Sequence, residues 1–283
     1  MAALVAGCST GQDPPVGTTT TSSTETTGLA REFAQLERKY DARRGVYAVD
    51  TKRDRTVSYQ ADERFAYAST SKAFAAALVL DATTPQQLEE PVPIRAADLV
   101  ANSPVVERAV GGTMTWRELC DAAVRYSDNA AGNLLLRSLG GPAGLQAGLG
   151  DQVTSADRYE PDLSSAIPGD PRDTSTPRTM ATNLRKFTVD TALPEEDRAM
   201  LDDWLRNNTT GTDVIRAGVP RDWVVGDKTG SADYGGRNDI AVLWPPGRDP
   251  IVIAVLTSRD KEGAERLDAL VADTARIVAR VLG

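Results

Sequence analysis

Residues 73–80 read Ala-Phe-Ala-Ala-Ala-Leu-Val-Leu, apolar without interruption, and the next charge is Asp81. A helix of that composition has no face to offer water, so other elements must enclose it on every side. The chain therefore has to build a body large enough to surround one helix with several others. Lys72 stands immediately before the run. An ammonium there has no water to snorkel to, and it must find partners inside the fold or lose its proton.

The rest of the composition narrows what that cation can serve. At 283 residues and 41% hydrophobic, the chain can bury a full core. Net charge is −8 with an isoelectric point near 4.8, and no basic stretch stands out. Nucleic acid and anionic membrane surfaces are thus excluded as expected partners. Histidine is absent. Ser-His-Asp and Cys-His catalysis fall away with it, as do most catalytic zinc sites, and any general base must be Glu, Asp, Lys or Tyr. Only Cys8 and Cys120 are present, so no disulfide framework or cysteine-rich metal site is available. Cys120, in the helical pattern TWRELCDAAV, reads as a small buried thiol. Cys8 ends LVAGC, which resembles a bacterial lipobox whose cysteine carries lipid. The seven residues before it hold no Lys or Arg, short of a full secretory signal. The expectation is an exported protein, either a lipoprotein of the cell envelope or a secreted or periplasmic one, whose recorded start is late.

Residues 9–28 are Ser, Thr, Gly and Pro with almost nothing apolar, and they read as a flexible tether. Leu29, Phe33, Leu36 and Tyr40 then mark a helix, and RGVYAVD and TVSYQ two short strands. The middle of the chain carries helix signals. Thr115 and Glu118 form a capping box before LCDAAVRY, AAGNLLLRSLGG ends on glycines, and Pro194 opens RAMLDDWLRNN. Strand patterns return in WVVGDKTG, NDIAVLWPP and PIVIAVLTS, and a last helix is expected from about Gly263 to Leu282. Strands at both ends of the chain imply one discontinuous α/β domain, 29–64 with 206–283, into which an all-helical domain, 65–205, is inserted. Residues 1–28 would be leader remnant and tether, and the site would lie between the two domains. The segment 154–177 holds four prolines and no sustained periodicity. Loops of that length in a compact domain are usually functional or disordered, and this one carries Glu160.

Three short motifs could do chemistry. Ser69-Thr70-Ser71-Lys72 places a hydroxyl and an amine at i and i+3 on one helix face. A serine at a helix N-terminus also has backbone N–H groups suited to a developing oxyanion. The pattern is weak alone, since Ser258-Arg259-Asp260-Lys261 also matches in a polar loop; the apolar helix separates the two. Ser127-Asp128-Asn129 taken alone is ordinary capping chemistry, and Lys228-Thr229-Gly230 alone is a strand end before a turn. Together, in that order, the three are the set found in class A β-lactamases and penicillin-binding proteins. The chain resembles that superfamily, and the class A serine β-lactamases in particular, over residues 29–283. RYEPDLSSA, GDPRDTSTPRTMA, NNTTGTDVIRAGVP and KTGSADYGGRNDIAV are similar to class A segments.

The resemblance implies an antiparallel sheet flanked by helices plus an inserted helical domain. It implies hydrolysis of penicillins, and of cephalosporins, through a serine acyl-enzyme, by a monomer without cofactor or metal. Ser69 would be the nucleophile, with the backbone N–H groups of Ser69 and Ser231 as oxyanion hole. Lys72 would contact Ser69, Asn129 and Glu160. Ser127, supported by Lys228, would pass a proton to the β-lactam nitrogen. Thr229, Gly230, Ser231 and Arg237 would line the substrate carboxylate site, where arginine offers a forked donor set. Asn129 would bind the substrate's amide side chain. Glu160 would activate the hydrolytic water, on a loop clamped by Arg158 and Asp173, and Asp128 would be structural.

Some positions depart from the family pattern. Ser164 replaces an asparagine that helps hold the water; it can still donate and accept, so deacylation should survive with an altered substrate profile. Asn102 stands where many members place an aromatic wall, which opens the entrance. Cys120 matches one half of a disulfide seen in some members, but the partner position is Ala76 and no bridge is expected; Ala68 and Ala232 exclude the cysteine pair of one carbapenem-hydrolysing group. The alternative function is a penicillin-binding DD-peptidase or transpeptidase, which acylates without turnover. Such enzymes lack Glu160 on its proline-rich loop.

Overall fold

The computed structural model describes residues 23–283. Cys8 and most of the expected tether lie outside the described residues. Helix α1 (Ser23–Tyr40) leads into the antiparallel strands β1 (Arg43–Asp50) and β2 (Thr56–Tyr59). A two-residue strand, β3 (Phe65–Ala66), precedes the 3-10 turn Ala68–Thr70, from which α2 (Ser71–Ala82) continues. Next come the single turn α3 (Pro85–Leu88), the paired strands β4 (Pro91–Pro93) and β5 (Thr113–Thr115), and the helices α4 (Trp116–Arg125), α5 (Asn129–Ser138) and α6 (Pro142–Leu149). The long loop holds only a 3-10 turn, Asp162–Ser164, and strand β6 (Thr174–Ser175), which pairs with β3. Helices α7 (Pro177–Thr188) and α8 (Glu195–Arg206) and the turn α9 (Ile215–Gly218) follow. The chain closes with β7 (Val224–Ser231), β8 (Arg237–Trp244), β9 (Ile251–Ser258) and α10 (Asp268–Leu282).

The main sheet has five strands in the order β2-β1-β9-β8-β7, all antiparallel. Side chains alternate across it with the period of two that pleating imposes. Val255, Ile253 and Ile251 of β9 join Phe33 of α1 and Val271, Ala275 and Val278 of α10 on one face. Leu256, Ala254 and Val252 join the helical body on the other. Burial of both faces explains why these strands read as continuous apolar runs. Helix α7 packs on the inner face against β1, β8 and β9, linking sheet and helices.

The apolar run answers its own question. Every residue from Ser71 to Leu80 is buried, because α4, α5, α6, α7 and α8 all pack against α2. Two helix boundaries differ from expectation. Helix α1 begins at Ser23 and not at Leu29, because extending an anchored helix adds one hydrogen bond per residue while only nucleation is costly. Helix α10 begins at Asp268 and not near Gly263; Gly263, at φ 67°, holds a left-handed turn that helix cannot continue through. The Thr115–Glu118 capping box forms as expected. Cys120 is a buried free thiol whose pKa burial pushes up.

Candidate active site

Ser69 lies in the 3-10 turn that feeds α2. The turn is held by Thr70 Oγ1 donating to Tyr67 O (2.7 Å) and Ser71 Oγ donating to Ala68 O (3.0 Å). Ala68 is forced to φ 49°, an unfavourable conformation for a residue with a Cβ and of the kind that clusters at functional sites. One turn on, Lys72 is buried. Its Nζ donates to Ser69 Oγ (2.8 Å), Ser127 O (2.9 Å) and Asn129 Oδ1 (2.5 Å). It also lies 3.3 Å from Glu160 Oε1. Three acceptors match the three protons of an ammonium. Burial nonetheless pushes the Lys72 pKa down, and the Glu160 charge only partly restores it. A lysine so placed gives up its proton more readily than a solvated one.

Glu160 approaches Ser69 from the other side, its Oε1 accepting from Ser69 Oγ at 3.2 Å. Its backbone is fixed by Asn133, which accepts from Glu160 N–H and donates to Glu160 O, both at 2.9 Å. Glu160 Oε2 is buried and takes no hydrogen bond from the described residues. The loop around it is drawn closed by Asp173. That fully buried carboxylate accepts from Arg158 Nε (2.5 Å) and from the N–H groups of Asp157 and Arg158 (2.9 and 3.1 Å). Asp173 thus anchors both ends of the segment, and the expected Arg158–Asp173 contact forms.

The α4–α5 junction supplies the second hydroxyl. Asp128 caps α5 through Ala131 N–H and also accepts from Val105 and Val106 N–H, which is structural work. Ser127, at φ 55°, presents its Oγ to Lys228 Nζ at 3.0 Å. Burial, and then the nearby Lys72 charge, push the Lys228 pKa well down. Asn129 donates to Ala101 O (2.9 Å), and its N–H binds Asn102 O (3.0 Å).

Strand β7 closes the far wall. Gly230 contributes by lacking a side chain: a Cβ there would lie 2.8 Å from Tyr67 O, so only glycine lets β7 lie against the Ser69 turn. Ser231 Oγ accepts from Arg237 Nη1 (3.0 Å), while Arg237 Nε pairs with Asp268. Thr229 Oγ1 meets Thr210 Oγ1 at 2.5 Å. The cleft between these walls measures about 610 Å3 and is lined by Ser69, Asn102, Ser127, Asn129, Glu160, Ser164, Thr229, Ser231 and Arg237 among others. Ser164 also ties the loop to the β7–β8 turn through Asp233 N–H (3.0 Å). The second Ser-x-x-Lys match, at Ser258, is not in this cleft.

Gly132, Asn133 and Thr210 were not legible as site residues. A Cβ at Gly132 would lie 2.8 Å from Lys72 Cε, so the glycine makes room for the lysine stem. Asn133 did leave a signal. It is a lone amide in the apolar stretch before Leu134, one helical turn after Asn129 and on the same face.

A family profile described as the β-lactamase enzyme family matches residues 28–282. A β-lactamase of Amycolatopsis lactamdurans is 63% identical over 258 residues, covering 90% of this chain and 85% of that protein. A β-lactamase of Bacillus subtilis (strain 168) is 50% identical over 251 residues, covering 88% and 82%. The crystal structure of a class A β-lactamase from Clostridium kluyveri matches with a TM-score of 0.89 at 44% identity, covering 90% of this chain and 99% of that one.

Proposed function

This chain belongs to the β-lactamase enzyme family, as a class A serine enzyme that hydrolyses β-lactams through an acyl-enzyme and confers antibiotic resistance, and from that premise we propose how its residues divide the two half-reactions. Ser69 Oγ attacks the β-lactam carbonyl. One observation carries the assignment: this oxygen lies 2.8 Å from Lys72 Nζ and 3.2 Å from Glu160 Oε1, in contact with two bases at once. Its proton can pass to Glu160 directly or to Lys72 once that amine is neutral. The backbone N–H groups of Ser69 and Ser231 stabilise the tetrahedral oxyanion. As the ring C–N bond breaks, Ser127 donates its proton to the leaving nitrogen, with Lys228 holding Ser127 Oγ.

Asn129 binds the acyl side chain, and Thr229, Ser231 and Arg237 bind the substrate carboxylate. Gly230 serves by close packing. In deacylation the free Oε2 of Glu160 takes a proton from water as the water oxygen attacks the ester carbonyl; the carbonyl carbon–Oγ bond then breaks, the acid product leaves, and Ser69 Oγ recovers a proton from Glu160 or Lys72. Ser164 stands beside this path with a hydroxyl in place of an amide, and Asn102 leaves the entrance polar; both shape which penicillins and cephalosporins turn over fastest. The enzyme acts as a monomer with no nucleic-acid partner, and the lipobox-like Leu-Val-Ala-Gly-Cys supports a cell-envelope or secreted location. Labelling with a radioactive fatty acid, abolished in Cys8→Ala, tests the lipid.

The roles are tested with a chromogenic cephalosporin followed by intact mass. The parent turns over steadily. Glu160→Gln accumulates a Ser69 acyl-enzyme on penicillins, and a variant that turned over like the parent would remove Glu160 from the mechanism.

A further inference from the structure

The two hydroxyls at the carboxylate end of the cleft are wired with opposite polarity. Ser231 Oγ accepts from Arg237 Nη1 at 3.0 Å; a guanidinium only donates, so the Ser231 proton is left to point into the cleft. Thr229 sits at the end of a chain that runs inward. Arg216 Nε donates to Asp227 Oδ1 (2.5 Å), and Asp227 Oδ2 accepts from Asn208 Nδ2 (2.7 Å). The other end of the Asn208 amide must then be its oxygen. Thr210 N–H confirms it by donating to Asn208 Oδ1 at 3.1 Å. Thr210 Oγ1 lies 2.9 Å from the same oxygen. Two acceptors at that distance repel unless a proton lies between them, so Thr210 spends its one hydroxyl proton on Asn208. The contact of 2.5 Å between Thr210 Oγ1 and Thr229 Oγ1 then needs the Thr229 proton.

We infer that Thr210 is a specificity-determining positioning residue, a hydrogen-bond switch that must reverse when the cleft takes up a substrate carboxylate. The inference rests on the reading that Thr229 binds that carboxylate. In the free enzyme the Thr229 proton faces Thr210, and its lone pairs face the position of the anion. Binding turns the Thr229 O–H outward to the carboxylate. Thr210 then rotates its own proton onto Thr229 Oγ1 and gives up Asn208. The exchange costs about one neutral hydrogen bond, and a substrate without the negative charge has no reason to meet that cost. Arg237 Nη2, held by Thr210 O at 3.2 Å, keeps its place throughout because that contact is to backbone.

The test compares kcat/KM for a penicillin with a free carboxylate and for its methyl ester, measured on the same preparation so that partial misfolding cancels. Thr210→Ala frees the Thr229 proton and should raise the acid-to-ester ratio about five-fold, the worth of one hydrogen bond. Thr210→Ser restores the switch and should keep the parent ratio. Thr229→Val should collapse the ratio. If Thr229→Val collapses it while Thr210→Ala leaves it unchanged or lowers it, the switch is overturned and the carboxylate reading stands. If Thr229→Val retains the parent ratio, both fall.

Discussion

Arg44 is the least expected residue of the molecule. Its side chain is wholly buried on β1, stacked on the Phe33 ring at 4.7 Å and near the Tyr59 ring at 5.2 Å. None of its guanidinium nitrogens has a hydrogen-bond partner among the described residues. Burial pushes its pKa down to about 10. Arg44 is not among the residues that line the cleft. Replacing such a charge by an apolar group of similar shape stabilises by about 1 kcal/mol or more. Arg44→Met should therefore raise Tm by a few degrees with unchanged turnover, read by calorimetry and assay. Gly132 makes the opposite case, a residue of no chemical character on which the chemistry depends. Gly132→Ala pushes a methyl group into the Lys72 stem and should slow acylation roughly 10- to 100-fold, as expected for a catalytic group displaced by about 1 Å. Rapid-quench mass spectrometry reads that step alone. Ser69, Lys72, Ser127, Asn129 and Lys228 were legible because each lies in a short motif whose members sit together in sequence. Gly132, Asn208 and Thr210 were not, because their meaning comes from side chains far along the chain.

At the scale of elements, the 154–177 loop shows how a segment with little regular structure is held. Asp173 closes it through Arg158 and two backbone N–H groups. Asp173→Asn weakens that closure by roughly 3 kcal/mol, the cost of breaking a buried pair. Amides of residues 156–165 should then exchange faster with deuterium, and deacylation should fall more than acylation. The long proline-rich segment was recognisable as irregular, but its β3–β6 pairing was not, since two-residue strands carry no pattern. Helix α8 has a different liability. Asp202 is raised to about 6 by burial, and its Oδ1 lacks a partner among the described residues. Its folded pKa lies above the unfolded value near 3.8, so the folded state binds more protons between those limits and loses stability as pH rises through them. Asp202→Asn should stabilise by about 1–2 kcal/mol at pH 7, after allowing for partial exposure. The gain should vanish below pH 4, a trend denaturant titrations at several pH values would reveal.

At the scale of the molecule, the order of strands, helices and strands along the chain foretold the sheet and its helical insertion. It did not foretell that α7 would lie on the inner face of the sheet and tie it to the helical body, since that depends on which strands become neighbours. The pairing of β1 with β9, Arg43 opposite Ser258, has a kinetic consequence. The centre of the sheet cannot close until nearly the whole chain has been made, and closure must then span roughly 200 residues, the kind of contact that slows folding most. On a nascent chain Ser127 accordingly lacks its Lys228 partner until β7 emerges, just before that closure. Helices α1 and α10 lie side by side, tied by Lys39–Asp273 at 2.9 Å and Arg280–Glu32 at 2.6 Å. A circular permutant that links Gly283 to Gly28 and opens at the exposed Gly111–Gly112 turn makes the β9–β1 pairing a near neighbour in sequence while keeping the β8–β9 hairpin intact. It should refold faster than the parent in stopped-flow measurements and reach the same activity.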